Sequence, residues 1–267
     1  MIKAIFFDID GTLVSFKTHK IPESTILTLN RLRENGIKLF IATGRSWRQL
    51  KEVEGLPHFD GYITLTGSCC LTGNGEVIYK NCIPQQDMES LAEFHKNRPF
   101  PVEFVYMNRE TMSETSEEIE KIWALVNMPV PPVVSMEDSN KSDVYQLGLF
   151  LSREEEAELQ IVERIMPGCV SLRWSPHFFD AVPKGSSKSI GIDKMIEYYG
   201  IDLAETMAFG DGGNDIDMLR HVGLGVAMGN AGEEVKSAAK YVTTSVDEDG
   251  IMNAIYELGI LKKLTSE

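Results

Sequence analysis

Two aspartates, Asp8 and Asp10, close an apolar run that starts at Ile2, and Gly11, Thr12 and Leu13 follow them. Such a run reads as a buried strand, so the two carboxylates stand where an open α/β sheet builds its active site. Side chains alternate along a strand, and residues two apart lean the same way. Asp8 and Asp10 can therefore share one Mg2+, a hard cation that takes oxygen ligands. An Asp-x-Asp alone is more often a solvated turn or a cap; the other strand ends set this pair apart. Thr43-Gly44-Arg45 follows the apolar run Ile37–Ala42, and Gly210-Asp211-Gly212-Gly213-Asn214-Asp215 follows Met207-Ala208-Phe209. Asn214 or Asp215 can cap the helix that begins there, but three oxygen side chains beside paired glycines exceed what a cap needs. Asp211 can complete an octahedral Mg2+ site with Asp8, Asp10 and waters, and Asp215 is a further candidate ligand. Lys188 supplies a fixed positive charge early in a helix.

The elements that must position these groups follow from periodicity. Residues 2–8 read as a strand, Pro22 opens a helix with Ile26, Leu29 and Leu32 at helical spacing, and Gly36 ends it. The strand Ile37–Ala42 comes next, so strand, helix and strand form a right-handed parallel crossover that puts Thr43 on the edge that carries Asp8. A helix over about 46–55, a strand over 61–65 and a hairpin at Gly73-Asn74-Gly75 are expected after it. From residue 82 the pattern turns to α+β: helix 86–97, strand Val102–Met107, an acidic helix Glu114–Leu125, a proline-rich link, strand Tyr145–Leu151 and helix Arg153–Ile165. Strands Val170–Trp174 and His177–Val182 meet at Ser175-Pro176, and Pro183-Lys184-Gly185 marks a hinge. The βα rhythm then returns, with helices at 187–199, 214–220, 231–239 and 249–258 and strands at Thr206–Phe209 and Gly225–Val226. The expected fold is α/β, a Rossmann-like doubly wound parallel sheet over 1–81 and 185–267, with an inserted α+β cap domain over 82–184.

Bulk properties exclude some functions. With 267 residues, 43% hydrophobic and 25% charged, the chain has the composition of an ordinary globular protein. A net charge of -14 argues against nucleic acid as a partner, because phosphate backbones call for a basic face. Small anionic substrates remain open if the site supplies its own cations and N–H groups. The four cysteines, Cys69, Cys70, Cys82 and Cys169, lack zinc-ligand spacing and read as reduced and buried. Asp8 interrupts the first apolar run, and no stretch reaches the roughly 18 apolar residues of a spanning helix, so a cytoplasmic protein with no membrane partner is expected. Nothing indicates an obligate protein partner.

In their order, these segments resemble the haloacid dehalogenase superfamily of phosphotransferases, on Asp8-Ile9-Asp10-Gly11-Thr12, Thr43-Gly44, Lys188 and Gly210-Asp211-Gly212-Gly213-Asn214-Asp215. The insert, with Lys184-Gly185-Ser186-Ser187-Lys188, resembles the Cof-like branch with a C2-type cap. The resemblance implies an Mg2+-dependent phosphatase acting on small phosphomonoesters, sugar phosphates above all, through an aspartyl phosphate. It implies Asp8 as nucleophile and Asp10 as acid and base. Mg2+ would lie on Asp8, the Ile9 or Asp10 backbone region and Asp211. Thr43, Gly44, Lys188 and Asn214 would hold the phosphoryl oxygens, with Ile9 counted beside them. Arg45 is frequent in that branch and can reach substrate or phosphate, or equally form an exposed ion pair. Relatives often carry Asn-Gly where this chain has Thr66-Gly67-Ser68.

Rival readings are a phosphomutase that returns the phosphoryl group to a hexose phosphate, and a receiver-like signalling module that holds it without turnover. Gly223, Gly225 and Gly229 miss the dinucleotide fingerprint at Met228, and the acidic run Asp247-Glu248-Asp249 fails as an EF-hand at Ser245 and Tyr256. Trp123, Trp174, Phe178 and Phe179 read as core aromatics or as a substrate pocket, with the turn Trp174–His177 the cap segment of interest.

Overall fold

Continuous apolar runs become strands buried on both faces, as parallel strands flanked by helices require. The computed structural model describes residues 1–262 apart from 51, 52, 54, 56, 126–128, 153, 154 and 173–175. It divides into two compact units, one of Met1–Arg45, Gln49–Lys80 and Ser187–Glu267, the other of Ser46–Arg48 and Asn81–Ser186. Segment 46–48, which sequence pattern leaves in the core, thus groups with the inserted unit.

The first unit begins with β1 (Ala4–Phe7), α1 (Glu23–Glu34) and β2 (Lys38–Ala42). The helix α2 covers only Trp47–Leu50 of the longer helix expected there, and residues 51, 52 and 54 lie outside the described chain. Next come β3 (Gly61–Thr64), β4 (Cys69–Thr72) and β5 (Val77–Lys80). Gly75, at φ +85°, makes the hairpin turn and donates from its N–H to the Thr72 carbonyl at 2.9 Å.

In the inserted unit the chain runs α3 (Gln85–Asn97), β6 (Val102–Val105), β7 (Glu110–Met112), α4 (Glu117–Leu125), β8 (Gln146–Leu149), α5 (Glu156–Ile165), β9 (Cys169–Leu172) and β10 (Phe179–Pro183). Its antiparallel sheet has the order β7-β6-β8-β10-β9. Strand alternation gives one face to the core, where Val102, Phe104, Leu147, Leu149, Phe179 and Ala181 pack with Met88 and Leu91 of α3 and Leu159 and Val162 of α5. Trp123 packs in a smaller cluster with Met112 and Ile119, and Phe178 stacks on Phe150 at 5.1 Å. Trp174 lies outside the described residues. Two cysteines, Cys82 and Cys169, are half-buried rather than buried, and none of the four is in a disulfide.

The first unit resumes with α6 (Lys188–Tyr199), β11 (Thr206–Gly210), α7 (Ile216–His221), β12 (Leu224–Ala227), α8 (Glu233–Ala238), β13 (Tyr241–Val242) and α9 (Gly250–Glu257). Its sheet runs β13-β12-β11-β1-β2-β3-β4-β5, parallel from β13 to β3 and antiparallel beyond. Connections leave β1 towards β2 on one side and meet β11 on the other, so β1 is the topological switch point. Phe7 lies opposite Phe209 and Ile41 in register, so the residues after all three strands leave the sheet at one level. Phe6, Phe40, Ile63 and Ala208 pack under Ile192 and Met195 of α6 and Met218 and Leu219 of α7. On the opposite face Phe7 stacks on Phe209 at 5.3 Å. Among the described residues no helix is long and apolar enough to cross a membrane.

The loop after β3 explains the departure at Thr66. Thr66 has φ +52° and ψ +37°, a left-handed conformation that a β-branched residue rarely takes. Asn adopts it at little cost because its short side chain bonds locally. Gly67 follows at φ +91°, where a Cβ would lie 1.9 Å from the Ser187 carbonyl oxygen, so this glycine lets the loop seat against the start of α6. Thr66→Asn should therefore stabilise the protein by about 1 kcal/mol, read as a raised urea midpoint. An unchanged or lowered midpoint would contradict strain at Thr66.

Candidate active site

Lys188 is wholly buried, which a lysine tolerates only with partners. Ser187 starts α6 by accepting the Ile190 N–H on its side chain, which sets Lys188 in the first turn. The Lys188 Nζ donates to Asp8 Oδ1 at 2.6 Å and to Asp215 Oδ1 at 2.5 Å. Burial alone would lower the lysine, but Asp215 and Asp8 outweigh it and hold the ammonium charged above its ordinary range.

Asp215 has a second set of partners. Its Oδ2 accepts the N–H groups of Asp211 at 2.9 Å and Gly212 at 2.8 Å, which closes the turn between β11 and α7. A short 3-10 turn, Gly213–Asp215, thus precedes α7, where the sequence pattern places one helix from 214. Asp215 anchors Lys188 and shapes the turn, so much of its acceptor capacity is already taken.

One oxygen from each of Asp8, Asp211 and Asp215 lies within 4.8 Å of the others. Three carboxylates face a single ammonium there. Burial pushes Asp8 up to about 7, where Lys188 opposes the shift and Asp215 adds to it. Burial also lifts Asp211 to about 6, against the bond from the Thr12 hydroxyl. The donor set is all oxygen and short of positive charge, which suits a hard divalent cation such as Mg2+.

Asp10 belongs to the same edge but not to that carboxylate group. Arg45 grips it with both prongs, Nε to Oδ2 at 2.9 Å and a terminal nitrogen to Oδ1 at 2.7 Å. Its side chain is thus engaged by a guanidinium, not turned to Asp8 and Asp211, and a ligand role for Asp10 would fall to its backbone. Of the two readings of Arg45, a substrate or phosphate contact and an ion pair, the structure displays the ion pair, with Asp10. Ile9 points its side chain into the core and leaves only its backbone to face the edge.

The remaining predicted groups converge. The buried Thr43 hydroxyl accepts the Arg45 N–H at 3.1 Å and keeps its own proton to donate. A Cβ placed on Gly44 would lie 3.8 Å from Asn214 Nδ2 and 3.5 Å from Thr66 Oγ1, so three loops meet at Gly44. Asn214 is exposed and carries an amide toward that meeting point. Asn230 is the site residue that sequence pattern misses: it reaches Asp211 from the turn after β12 and donates to Oδ2 at 3.1 Å. Its only sequence signal is an Asn beside Gly229, which is also what an ordinary turn looks like.

Residues 5–255 match the family model described as haloacid dehalogenase-like hydrolase. The chain belongs to the haloacid dehalogenase superfamily. Bacillus subtilis YkrA, which bears a provisional phosphatase name, is 39% identical over 97% of this chain and 99% of its own length. The solved phosphatase BT1666 of this superfamily, from Bacteroides thetaiotaomicron, is 38% identical with a TM-score of 0.87, covering 98% of this chain and 96% of its own. The subclass IIB sugar phosphatase BT4131 is 45% identical with a TM-score of 0.79, covering 97% and 100%. The protein is thus a haloacid dehalogenase phosphatase, a phosphoric monoester hydrolase with a Rossmann-like core and a cap.

Raised carboxyls make the metal-free enzyme pH-sensitive. Asp8 and Asp211 bind protons more tightly folded than unfolded, so the stability they contribute is full below the ordinary aspartate range and is lost as pH rises through about 6 to about 7. In EDTA, the melting temperature should fall between about pH 5 and about pH 8, and Asp8→Asn should flatten that fall. Equal slopes in both proteins would contradict the placement of Asp8.

Proposed function

We propose that this phosphatase hydrolyses small phosphomonoesters, sugar phosphates foremost, with Mg2+ and through a phosphoryl group carried on Asp8. The observation that carries the proposal is the buried bridge from Lys188 to Asp8, at an edge where Thr43, Gly44, Asn214 and Asp211 converge. The sugar preference is supported by the likeness to BT4131. Asp8 and Asp211 would hold Mg2+, which would offset the repulsion between the carboxylates and a dianionic phosphate.

Lys188 binds Oδ1 of Asp8, which directs Oδ2 at phosphorus. Attack forms the bond from Oδ2 to phosphorus and breaks the bond from phosphorus to the ester oxygen. Asp10, once it has taken up a proton from solvent, delivers it to the leaving oxygen; the resulting carboxylate then takes a proton from the water that attacks phosphorus, and the bond from Asp8 Oδ2 to phosphorus breaks to free inorganic phosphate. Arg45 must release an oxygen of Asp10 before that transfer, because it occupies both. An ammonium has three protons, and Lys188 uses two on Asp8 and Asp215, so the third is left for a phosphoryl oxygen. The Thr43 hydroxyl, the Gly44 N–H and the Asn214 amide supply further neutral donors where charge builds up.

Phosphate release from p-nitrophenyl phosphate should stop with EDTA and return with Mg2+. Asp8→Asn should lower it at least about 1,000-fold with the fold intact. A screen of sugar, nucleotide and cofactor phosphates, with Asp8→Asn as the blank, should show its highest kcat/KM on a sugar phosphate. Undiminished turnover in EDTA or in the variant would overturn the mechanism, and a flat or nucleotide-led profile would overturn the substrate class.

A further inference from the structure

Asn230 is exposed, yet its side-chain amide ties three separate segments together. Nδ2 donates to the Gly11 carbonyl at 2.9 Å and to Asp211 Oδ2 at 3.1 Å, while Oδ1 accepts the Val246 N–H at 3.0 Å. On the other oxygen of the same carboxylate, the Thr12 hydroxyl donates to Oδ1 at 2.9 Å. Each oxygen of Asp211 thus has one neutral donor, which fixes the plane of the carboxylate.

The backbone beneath it is fitted closely. A Cβ on Gly11 would lie 2.1 Å from Asp211 Oδ2, and Gly11 has φ +84°, so the loop after β1 runs flush against the carboxylate. Neither donor is charged, in contrast to Lys188 on Asp215. The negative charge of Asp211 is therefore not neutralised by its holders. The segment that contains Val246 is itself fastened to the loop after β1, by Ser15 Oγ to Asp247 at 2.6 Å and Lys17 to Asp247 at 3.0 Å. Ser24 adds a bond to Asp249 at 2.5 Å.

We propose that Asn230 is a positioning residue that orients Asp211 toward the cation and locks that carboxylate to the loop after β1 and to the 246–249 segment. The inference rests on the reading of Asp211 as a metal ligand. A carboxylate held from behind by hydrogen bonds does not have to be ordered when the ion arrives, and loss of such a holder weakens metal binding.

The test is Mg2+ binding to the EDTA-stripped full-length protein by calorimetry, with Mg2+ alone as the probe and melting curves alongside. Asn230→Ala should weaken Mg2+ about 10- to 100-fold, while the loss of its three hydrogen bonds lowers the metal-free melting temperature but leaves the protein folded at the temperature of the titration. Half-saturating Mg2+ for turnover should rise in step, with kcat largely recovered at excess Mg2+. Asn253→Ala is the control, because Asn253 bonds Thr244 and Glu248 in the same loop without touching Asp211. Wild-type affinity in Asn230→Ala, or an equal loss in Asn253→Ala, would overturn the proposal. Asp211→Asn separates the two levels. If it loses Mg2+ while Asn230→Ala keeps it, only the role of Asn230 falls; if wild type and Asp211→Asn bind Mg2+ alike, the ligand reading of Asp211 falls with it.

Discussion

The buried ammonium of Lys188, bridged to Asp8 and Asp215, is the interaction on which the active edge depends. Taking a lysine out of water costs several kcal/mol, and only close charged partners offset it. Removing one partner from such a group typically costs about 3–5 kcal/mol, because the remaining charge is stranded. The bridge does more than hold α6 to the sheet. It fixes one oxygen of Asp8, positions Asp215 to close the turn that carries Asp211, and leaves the edge with more carboxylates than cations. Excess negative charge is a poor surface for a phosphate dianion by itself. It is a good one for a divalent cation that then attracts the phosphate.

The sheet supplies the rest. Because β1 lies between β11 and β2 in register, the residues that follow all three strands arrive at one level without any special loop geometry. Glycine is needed where loops pass close to these groups. Gly11 touches Asp211, Gly44 faces Asn214 and Thr66, and Gly67 clears the start of α6. The core beneath, with Phe6 stacked on Phe40 at 4.9 Å and Phe7 on Phe209 at 5.3 Å, keeps the strand ends from moving independently.

Much of this was legible in the sequence, for physical reasons that can be named. Asp8, Thr43 and Asp211 each follow an apolar run, so local pattern puts them on one edge, whereas Lys188 by itself reads as a solvated helix lysine and joins them only through the family resemblance. What local pattern cannot carry is the choice of partner across long separations. Arg45 turned to Asp10 over 35 residues, and Asn230 reaches Gly11 over 219 residues. The bonds of Asp215 show the same limit, since nothing local in an acidic residue at a helix start says that it reaches a lysine 27 residues away. Short strands escaped as well. β7 and β13 have three and two residues, too few for alternation to register, and they form because neighbouring strands offer ladder partners. Thr66 in a left-handed turn is invisible to propensity, because the fold imposes it.

The central claim is that Lys188 holds Asp8 ready to accept a phosphoryl group. The most direct measurement is acid-quenched mass spectrometry of the enzyme during turnover, reading peptides that span residues 1–20. A hydroxylamine-sensitive phosphoryl adduct on Asp8 is the predicted result. Full turnover with no adduct at Asp8, or an adduct located on another residue, would contradict the account.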